Sequence, residues 1–120
     1  MPATDASSPA ASANQSIIWG ALFAATGVGL GAFGAHAMKD HYDEAALRAF
    51  ETGVRYQMLH ALALLACGIL AKQGIPTQLA SRLFAAGILL FSGSIYGLAL
   101  IEAKWLGPIT PIGGSAFLAG

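Results

Sequence analysis

Charged side chains are scarce in this sequence. Only 10% of its 120 residues are charged, whereas an average soluble domain carries about 25%, and 56% are hydrophobic. Six basic and six acidic residues give a formal net charge of zero, so the chain lacks the basic face that nucleic-acid binding requires. These proportions place the chain among membrane proteins before any motif is considered.

Residues that carry out catalysis or bind metals are also few. The single cysteine, Cys67, lies in an apolar run, cannot form a disulfide within the chain, and is expected to be a small buried or lipid-facing residue. The sequence contains no nucleophile–base pair, no phosphate-binding loop and no paired carboxylates in an apolar segment. We therefore predict no catalytic residues, no metal site and no enzymatic activity.

The first sixteen residues differ from the rest of the chain. They are rich in Ala, Ser and Pro and contain no Lys or Arg, so they lack the positive start of a secretory signal. They carry too little apolar surface to order themselves, which predicts a disordered tail over residues 1–16. The remainder, residues 17–120, is predicted to form a single transmembrane domain.

Long uncharged runs follow the tail. A helix needs about 20 apolar residues to cross the hydrocarbon core of a bilayer. The candidates are residues 17–38, 56–71 and 83–101, followed by a shorter apolar segment at 112–120. Since lipid provides no partners for open sheet edges, the pattern predicts an all-α integral membrane protein. The expected fold is an up-down transmembrane helical bundle with three full spans and a partial or truncated fourth.

Most of the charged residues lie between the first two spans. Four of them follow helical spacing along one stripe, while three apolar residues fall on another side: Glu44, Arg48, Glu51 and Arg55, against Leu47, Phe50 and Val54. This pattern predicts an amphipathic extension that runs directly into the second span. Because Lys and Arg are more numerous on this side of the bundle, we expect the connection in the cytoplasm and the N-terminal tail outside.

Small residues recur at helical spacing in two spans. Such residues allow helices to approach closely in lipid, where burying apolar surface gains little. The residues predicted to pack between helices are Gly20, Ala24, Gly27, Gly31 and Ala35 in the first span, with Gly93 and Gly97 in the third. Gly34 lies off the first-span face, and its role is not assigned. The partner helices belong either to the same bundle or to another subunit.

A few polar residues lie near the ends of the first two spans. Tyr56, Gln57 and His60 share one sector of the second span, and His36 ends the first. An antiparallel hairpin is expected to bring all four to the same membrane level, near the interface. Three interpretations remain open: a hydrogen-bonded cluster that fixes helix register, a small polar binding or proton-relay site, and haem or metal ligation by His36 and His60.

Three motifs together resemble a known family. "GAFGAHAMK", "FETGVRYQMLHALAL" and "ITPIGG" occur in the order and spacing of small bacterial inner-membrane proteins of the YgdD/YwdK type, which have a related small eukaryotic transmembrane protein. The resemblance covers residue 17 to the C-terminus. It implies a four-helix, multi-pass protein of the bacterial inner membrane and no established activity. The family's recurrent positions fall on Gly31, Gly34, His36, Lys39, Tyr56, Gln57, His60, Pro111 and Gly113. The family pattern continues into a full fourth span, whereas this sequence ends at Gly120.

The predicted function is that of a small membrane protein without catalytic activity or cofactor. We expect it to pack against other membrane helices, either those of its own copies or those of a larger complex in which it is an accessory subunit. Its environment is the lipid bilayer, and no nucleic-acid partner is expected. The alternative is a transporter or binding protein for a small polar solute or a proton. That alternative would use His36, Tyr56, Gln57 and His60.

Overall fold

The computed structural model describes residues 9–120 of the chain, and within that range the ordered elements are all helical. Three segments are long and apolar enough to cross a membrane: Ala10–His36, Glu44–Lys72 and Gln78–Ile101. The helices are α1 (Pro9–His36), α2 (Glu44–Lys72), α3 (Gln78–Gly87), α4 (Gly93–Ile101) and α5 (Ile109–Ala119). Their up-down order and the three spans confirm the predicted all-α membrane fold.

Helix α5 is the partial fourth span. Its 11 residues rise about 16 Å, roughly half of a hydrocarbon core. It follows a short 3₁₀ turn, Lys104–Leu106, and folds back against α3 and the break that separates α3 from α4. The prediction of three full spans and a partial fourth is therefore confirmed for the described part of the chain.

The start of α1 corrects the predicted tail. Residues 1–8 lie outside the described range, but residues 9–16 are helical rather than disordered. Ala13 is completely buried, and the hydroxyl of Ser16 forms a 2.8 Å hydrogen bond with that of Ser81 on α3. Composition alone underestimated this segment because α2 extends to Lys72 and provides a surface for another helical turn of α1.

Helix α2 contains the amphipathic extension, as predicted. Asp43 caps its first turn by accepting a 2.8 Å hydrogen bond from the Ala46 amide. Phe50 is fully buried and packs with Met38 and Ala99 in the main apolar cluster. The charged stripe is exposed, and Arg48 lies 3.6 Å from Glu44 across one helical turn. The extension is thus continuous with the membrane-spanning part of α2.

The turn between α2 and α3 is short and tied to α2. Gly74 has φ of 88°, a left-handed conformation that glycine adopts without strain. Thr77, just before α3, donates a 2.7 Å hydrogen bond from its hydroxyl to the carbonyl of Cys67. Cys67 itself is a buried free thiol. The turn therefore holds α3 antiparallel to α2.

The third span is interrupted near its centre. Residues Ile88–Ser92 form a π-helical turn between α3 and α4. Insertions of this kind widen the helix locally and release regular backbone bonding. Gly113 on α5 lies directly against this turn, since a Cβ atom there would be 2.7 Å from the Cα of Phe91 and 2.8 Å from the carbonyl carbon of Leu90. The break and α5 therefore form one packing unit.

The small-residue seam of α1 repeats every seven residues. The buried positions are Ala13, Gly20, Gly27 and Gly34. A Cβ atom at Gly20 would lie 2.9 Å from the Ala61 carbonyl oxygen, and one at Gly34 would lie 2.9 Å from the ring of Phe50. A seven-residue repeat keeps one seam facing a partner helix when two helices coil around each other.

This seam corrects part of the predicted helix-packing set. Gly20 and Gly27 belong to it, but Ala24 and Gly31 are only half-buried and Ala35 is exposed, while the unassigned Gly34 is buried. The prediction used steps of four, three, four and four residues, and the two consecutive steps of four after Gly27 lead to Ala35 instead of Gly34.

The two glycines predicted in the third span also differ from each other. Gly97 lies against the Leu106 side chain of the following turn, whereas a Cβ atom at Gly93 would meet nothing within 4 Å. Neither glycine therefore lies in a seam between two spans of the described chain.

Candidate functional site

Gln57 forms the centre of a buried polar network. Its side chain is 3% exposed and lies between α1, α2 and α4. Its Nε2 donates to the carbonyl of Phe23 at 2.8 Å and to the hydroxyl of Thr26 at 2.9 Å. Its Oε1 accepts a 2.6 Å hydrogen bond from the hydroxyl of Tyr96. We call Thr26, Gln57 and Tyr96 the glutamine network.

The glutamine network leaves no free donor on the Gln57 amide. The Phe23 carbonyl can only accept, so the nitrogen must face α1 and the oxygen must face Tyr96. Thr26 in turn donates to the carbonyls of Leu22 and Phe23. A polar group in lipid is costly unless it is paired, and here each group is paired with another helix. The arrangement stabilises the register of three helices.

The network lies near the middle of the uncharged run of α1 but at the start of the uncharged run of α2, two residues after Arg55. Thr26 is roughly 14 Å from one end and 18 Å from the other end of the uncharged run at residues 17–38. Gln57 is opposite Thr26 because the connection between α1 and α2 is short and the charged extension of α2 also pairs with α1. The contact between Gly34 of α1 and the Phe50 ring of α2 shows this pairing.

A second buried contact joins α2 to the π-helical turn. The hydroxyl of Ser92 is completely buried and donates a 2.7 Å hydrogen bond to the carbonyl of Gly53. Two residues later, the hydroxyls of Ser94 and Thr110 are hydrogen-bonded, and Ser94 also donates to the Phe91 carbonyl at 2.9 Å. These contacts fix the third span to α2 on one side and to α5 on the other.

Tyr56 and His60 lie outside the glutamine network, in a separate aromatic cluster. The His60 ring stacks on Phe117 of α5 with centroids 3.7 Å apart, and its Nδ1 lies 2.8 Å from the Tyr56 carbonyl oxygen. Tyr56 contacts Phe91 at 5.0 Å, and His60 contacts Phe84 at 5.5 Å. The sector shared by the three α2 residues therefore splits between two environments, one facing α1 and α4 and the other facing α3 and α5.

His36 does not join either group. It is exposed at the end of α1, and no hydrogen bond or ring contact links it to another residue in the described range. Since Gly34 is opposite Phe50, His36 is level with residue 48 of α2, and His36 and His60 differ in level by roughly 18 Å. Two imidazoles on one metal ion lie within about 4 Å of each other. The prediction that all four polar residues share one level is wrong, and His36 and His60 cannot bind the same ion in this fold.

Metal-ligating side chains are dispersed throughout the described residues. Over residues 9–120, no group of three or more His, Cys, Asp or Glu side chains is placed to hold a metal ion. The buried polar side chains in this part of the chain are four serine hydroxyls and the Gln57 amide, and the thiol of Cys67 is buried as well.

Three of these hydrogen-bonding residues escaped the sequence analysis: Thr26 and Tyr96 of the glutamine network, and Ser92. A usable signal was present, because "FSGSIYG" places two serines and a tyrosine inside a long apolar span. Polar residues at such depth need partners. Gln57 was the nearest available partner at that depth, but the pairing depends on helix order and register.

The fold and these contacts define a class: an integral membrane helical bundle whose spanning helices are joined by hydrogen bonds between polar side chains. The family described as "Protein of unknown function (DUF423)" matches residues 30–114, and the chain belongs to that family. The match agrees with the resemblance seen in the three sequence motifs.

Curated relatives support the assignment. The chain is 47% identical over 105 residues to the UPF0382 membrane protein YwdK of Bacillus subtilis, covering 85% of each chain. It is 47% identical to a UPF0382 membrane protein of Staphylococcus aureus (strain bovine RF122 / ET3-1) and 45% identical to one of Staphylococcus epidermidis, each over 87% of this chain and 86% of the relative. No solved structure matches the chain.

Proposed function

We propose that this protein is a non-catalytic structural component of the bacterial cytoplasmic membrane that packs against other membrane helices. The observation that supports the proposal is a second set of small residues on the outer face of α1. Ala21, Ala25, Gly29 and Ala32 are exposed, and a Cβ atom at Gly29 would meet nothing within 4 Å. We call these four residues the outer face.

The outer face has the composition of a helix-packing surface but no partner in the described chain. Glycine is a weak helix former, and its main advantage in lipid is the close approach of a neighbouring helix. The seam at Gly20, Gly27 and Gly34 gains that advantage inside the bundle, whereas Gly29 gains nothing there. A neighbouring membrane helix, from a second copy or another protein, would use it.

Site-directed cross-linking in native membranes tests the proposal. In a Cys67→Ala background, Ala25→Cys places a thiol on the outer face, and Leu62→Cys places one on the equally lipid-exposed side of α2. A short bifunctional reagent is expected to give a discrete adduct of defined mass from Ala25→Cys and none from Leu62→Cys.

A bulky substitution supplies the control. Gly29→Ile adds volume where the chain has open space, so the monomer should keep its stability while the Ala25→Cys adduct disappears. A monodisperse monomer in mild detergent, together with equal or absent cross-linking from both faces, would contradict the proposal.

Transport of a small polar solute or a proton remains the alternative proposal. Gln57 lies between membrane-spanning helices, as transporter sites do, but its hydrogen bonds are all made to the chain itself. His60→Ala protein that folds normally and still supports full solute uptake or proton flux in vesicles would remove His60 from any such site. A loss of flux with an intact fold would favour transport over the structural role.

A further inference from the structure

A groove opens between α1 and α3 at the end of the bundle that holds the α2–α3 turn. It has a volume of about 150 Å³, and its floor includes Leu64 of α2. The two walls meet where the buried hydroxyls of Ser16 and Ser81 are hydrogen-bonded at 2.8 Å. We call this cavity the interfacial groove, because Ser16 directly precedes the uncharged run that begins at residue 17.

The groove changes from polar to apolar along the helix axes. Helices α1 and α3 run parallel, since each is antiparallel to α2. Gln78 and Ser12 line the end nearest the turn, whereas Trp19 and Leu64 line the end that points into the membrane. From Ser12 to Trp19 the rise is about 10 Å, which carries the groove from the headgroup region to the edge of the hydrocarbon core. The polar end followed by the apolar end matches the order of headgroup and acyl chain in a phospholipid molecule.

The lining of the groove favours an anion. Arg82 directly follows Ser81 on α3, so it lines the groove near the Ser16–Ser81 contact; it is exposed and forms no ion pair within the described residues. Among those residues, the charges at this end of the bundle are Lys72 and Arg82, with no Asp or Glu nearby on the three helix ends. The hydroxyl oxygen of Ser12 is buried and has no hydrogen-bond partner in the described part of the chain. Guanidinium, amide and hydroxyl donors together suit a phosphate group.

We propose that the interfacial groove binds an anionic phospholipid. The lipid phosphate lies against Arg82 and the donors beside it, and the first part of one acyl chain runs past Trp19 along Leu64. The cavity accommodates only this short part of the lipid, and the remainder continues into the bilayer. A net negative headgroup is required because Arg82 gives the groove a positive charge that pairs with no Asp or Glu among residues 9–120.

Trp19 provides a direct measurement of occupancy. The chain has two tryptophans, and Trp105→Phe leaves Trp19 as the only one. The full chain is reconstituted in phosphatidylcholine vesicles containing increasing fractions of phosphatidylglycerol with brominated acyl chains, which quench tryptophan on contact. The matched series uses brominated phosphatidylcholine. Quenching of Trp19 is expected to half-saturate at an about fivefold lower fraction of the anionic lipid, the effect of about one basic residue near an anionic surface.

Two charge variants distinguish lipid binding in the groove from a general attraction of anionic lipids to the protein surface. Arg82→Gln should abolish the preference for the anionic lipid. Lys72→Gln removes the same charge from the same end of the bundle but lies outside the groove, and it should change the preference less than twofold. Both side chains are exposed, and circular dichroism with thermal unfolding checks that each variant stays folded.

Three results would overturn the proposal. Equal quenching by the two brominated lipids would show an unselective lipid shell. An equal loss of preference in Arg82→Gln and Lys72→Gln would show diffuse charge attraction without a site. Restoration of Trp19 fluorescence by inorganic phosphate at constant ionic strength would show that the groove takes a soluble anion instead of a lipid.

Discussion

Helices α1 and α2 pack through a seven-residue repeat of small residues, whereas α3, α4 and α5 pack around a π-helical turn, with Gly113 against the backbone of that turn and Gly87 against the Phe117 ring. The first region is a regular hairpin in which a small residue of α1 contacts α2 at every second helical turn. The second is irregular, and its register depends on a few specific contacts. A regular seam distributes its stabilisation over many turns, while the irregular unit concentrates it at Gly113 and the residues around Phe91.

This difference also separates the polar groups. The glutamine network joins the hairpin to α4, and the aromatic cluster around His60 joins the hairpin to α3 and α5. The two environments begin only one residue apart on α2, at Tyr56 and Gln57. The hairpin therefore acts as the scaffold on which both halves of the second region are positioned.

The largest expected effect is at the irregular unit. Gly113→Ala places a Cβ atom 2.7 Å from the Cα of Phe91, and backbone on both sides cannot move away as a side chain can. We expect the free energy of unfolding to fall by about 3 kcal/mol, measured by titration with a denaturing detergent in mixed micelles. Gly114→Ala is the matched control, because its Cβ atom would be an ordinary 3.6 Å from the Phe91 ring. Similar losses from the two neighbours would show that Gly113 is not a special contact.

The seam of the hairpin should be less sensitive at any one position. Gly20→Ala brings a Cβ atom to 2.9 Å from the Ala61 carbonyl oxygen, and the separation of α1 and α2 can increase slightly over several turns. We expect a loss of about 2 kcal/mol in the free energy of unfolding. Gly29→Ala, on the outer face, is expected to be neutral or slightly stabilising. If Gly29→Ala destabilised the monomer as much as Gly20→Ala, the assignment of the seam would be wrong.

The glutamine network tests the connection between the two regions. Gln57→Leu removes the hydrogen bonds to α1 and α4, and Tyr96→Phe removes only the one to α4. A double-mutant cycle should give a coupling energy of about 1 kcal/mol between Gln57 and Tyr96, within the range measured for hydrogen bonds between membrane helices. Unfolding free energies of the two single variants and the double variant provide the measurement. Strict additivity of the two changes would mean that this hydrogen bond contributes nothing.

The smallest effect is expected at His36. Its side chain is exposed at the end of α1, so His36→Ala should change the free energy of unfolding by less than about 0.5 kcal/mol. His60→Ala loses the 3.7 Å stack on Phe117 and should cost about 1 kcal/mol. Thermal unfolding of both variants gives the comparison. A larger loss at His36 than at His60 would place His36 in a contact that the isolated chain does not have.

The spans were predictable because they depend on composition over long windows. Uncharged runs located all three spanning helices, and the alternation of charged and apolar positions before the second span located its amphipathic extension. The helical segment at residues 9–16 was missed because its stability comes from burial of Ala13 and from the Ser16–Ser81 contact, which depend on α2 and α3. Local composition does not contain that information.

The site was only partly predictable. The sequence identified Gln57 as a polar residue in need of a partner, but it grouped Gln57 with His36. On α1, His36 lies about 10 residues from the position that is opposite Gln57. The predicted small-residue seam also continued from Gly27 in two steps of four residues, so that Gly34 was left out and Ala35 was included. Both errors have one cause: the register of α1 against α2 is set by the length of their connection and by the coiling of the two helices.

By itself, the sequence determined that this chain folds as helices in a bilayer, because hydropathy and charge act locally and leave few alternatives in lipid. It also determined the family, through three motifs spread along the chain. Only the tertiary structure decided which small residues face a partner helix and where the groove between α1 and α3 opens. It also decided that Gln57 bonds to Thr26 and Tyr96 while His60 stacks on Phe117. Those features depend on the relative depth and rotation of neighbouring helices, which are set by all the contacts between the helices and not by any residue alone.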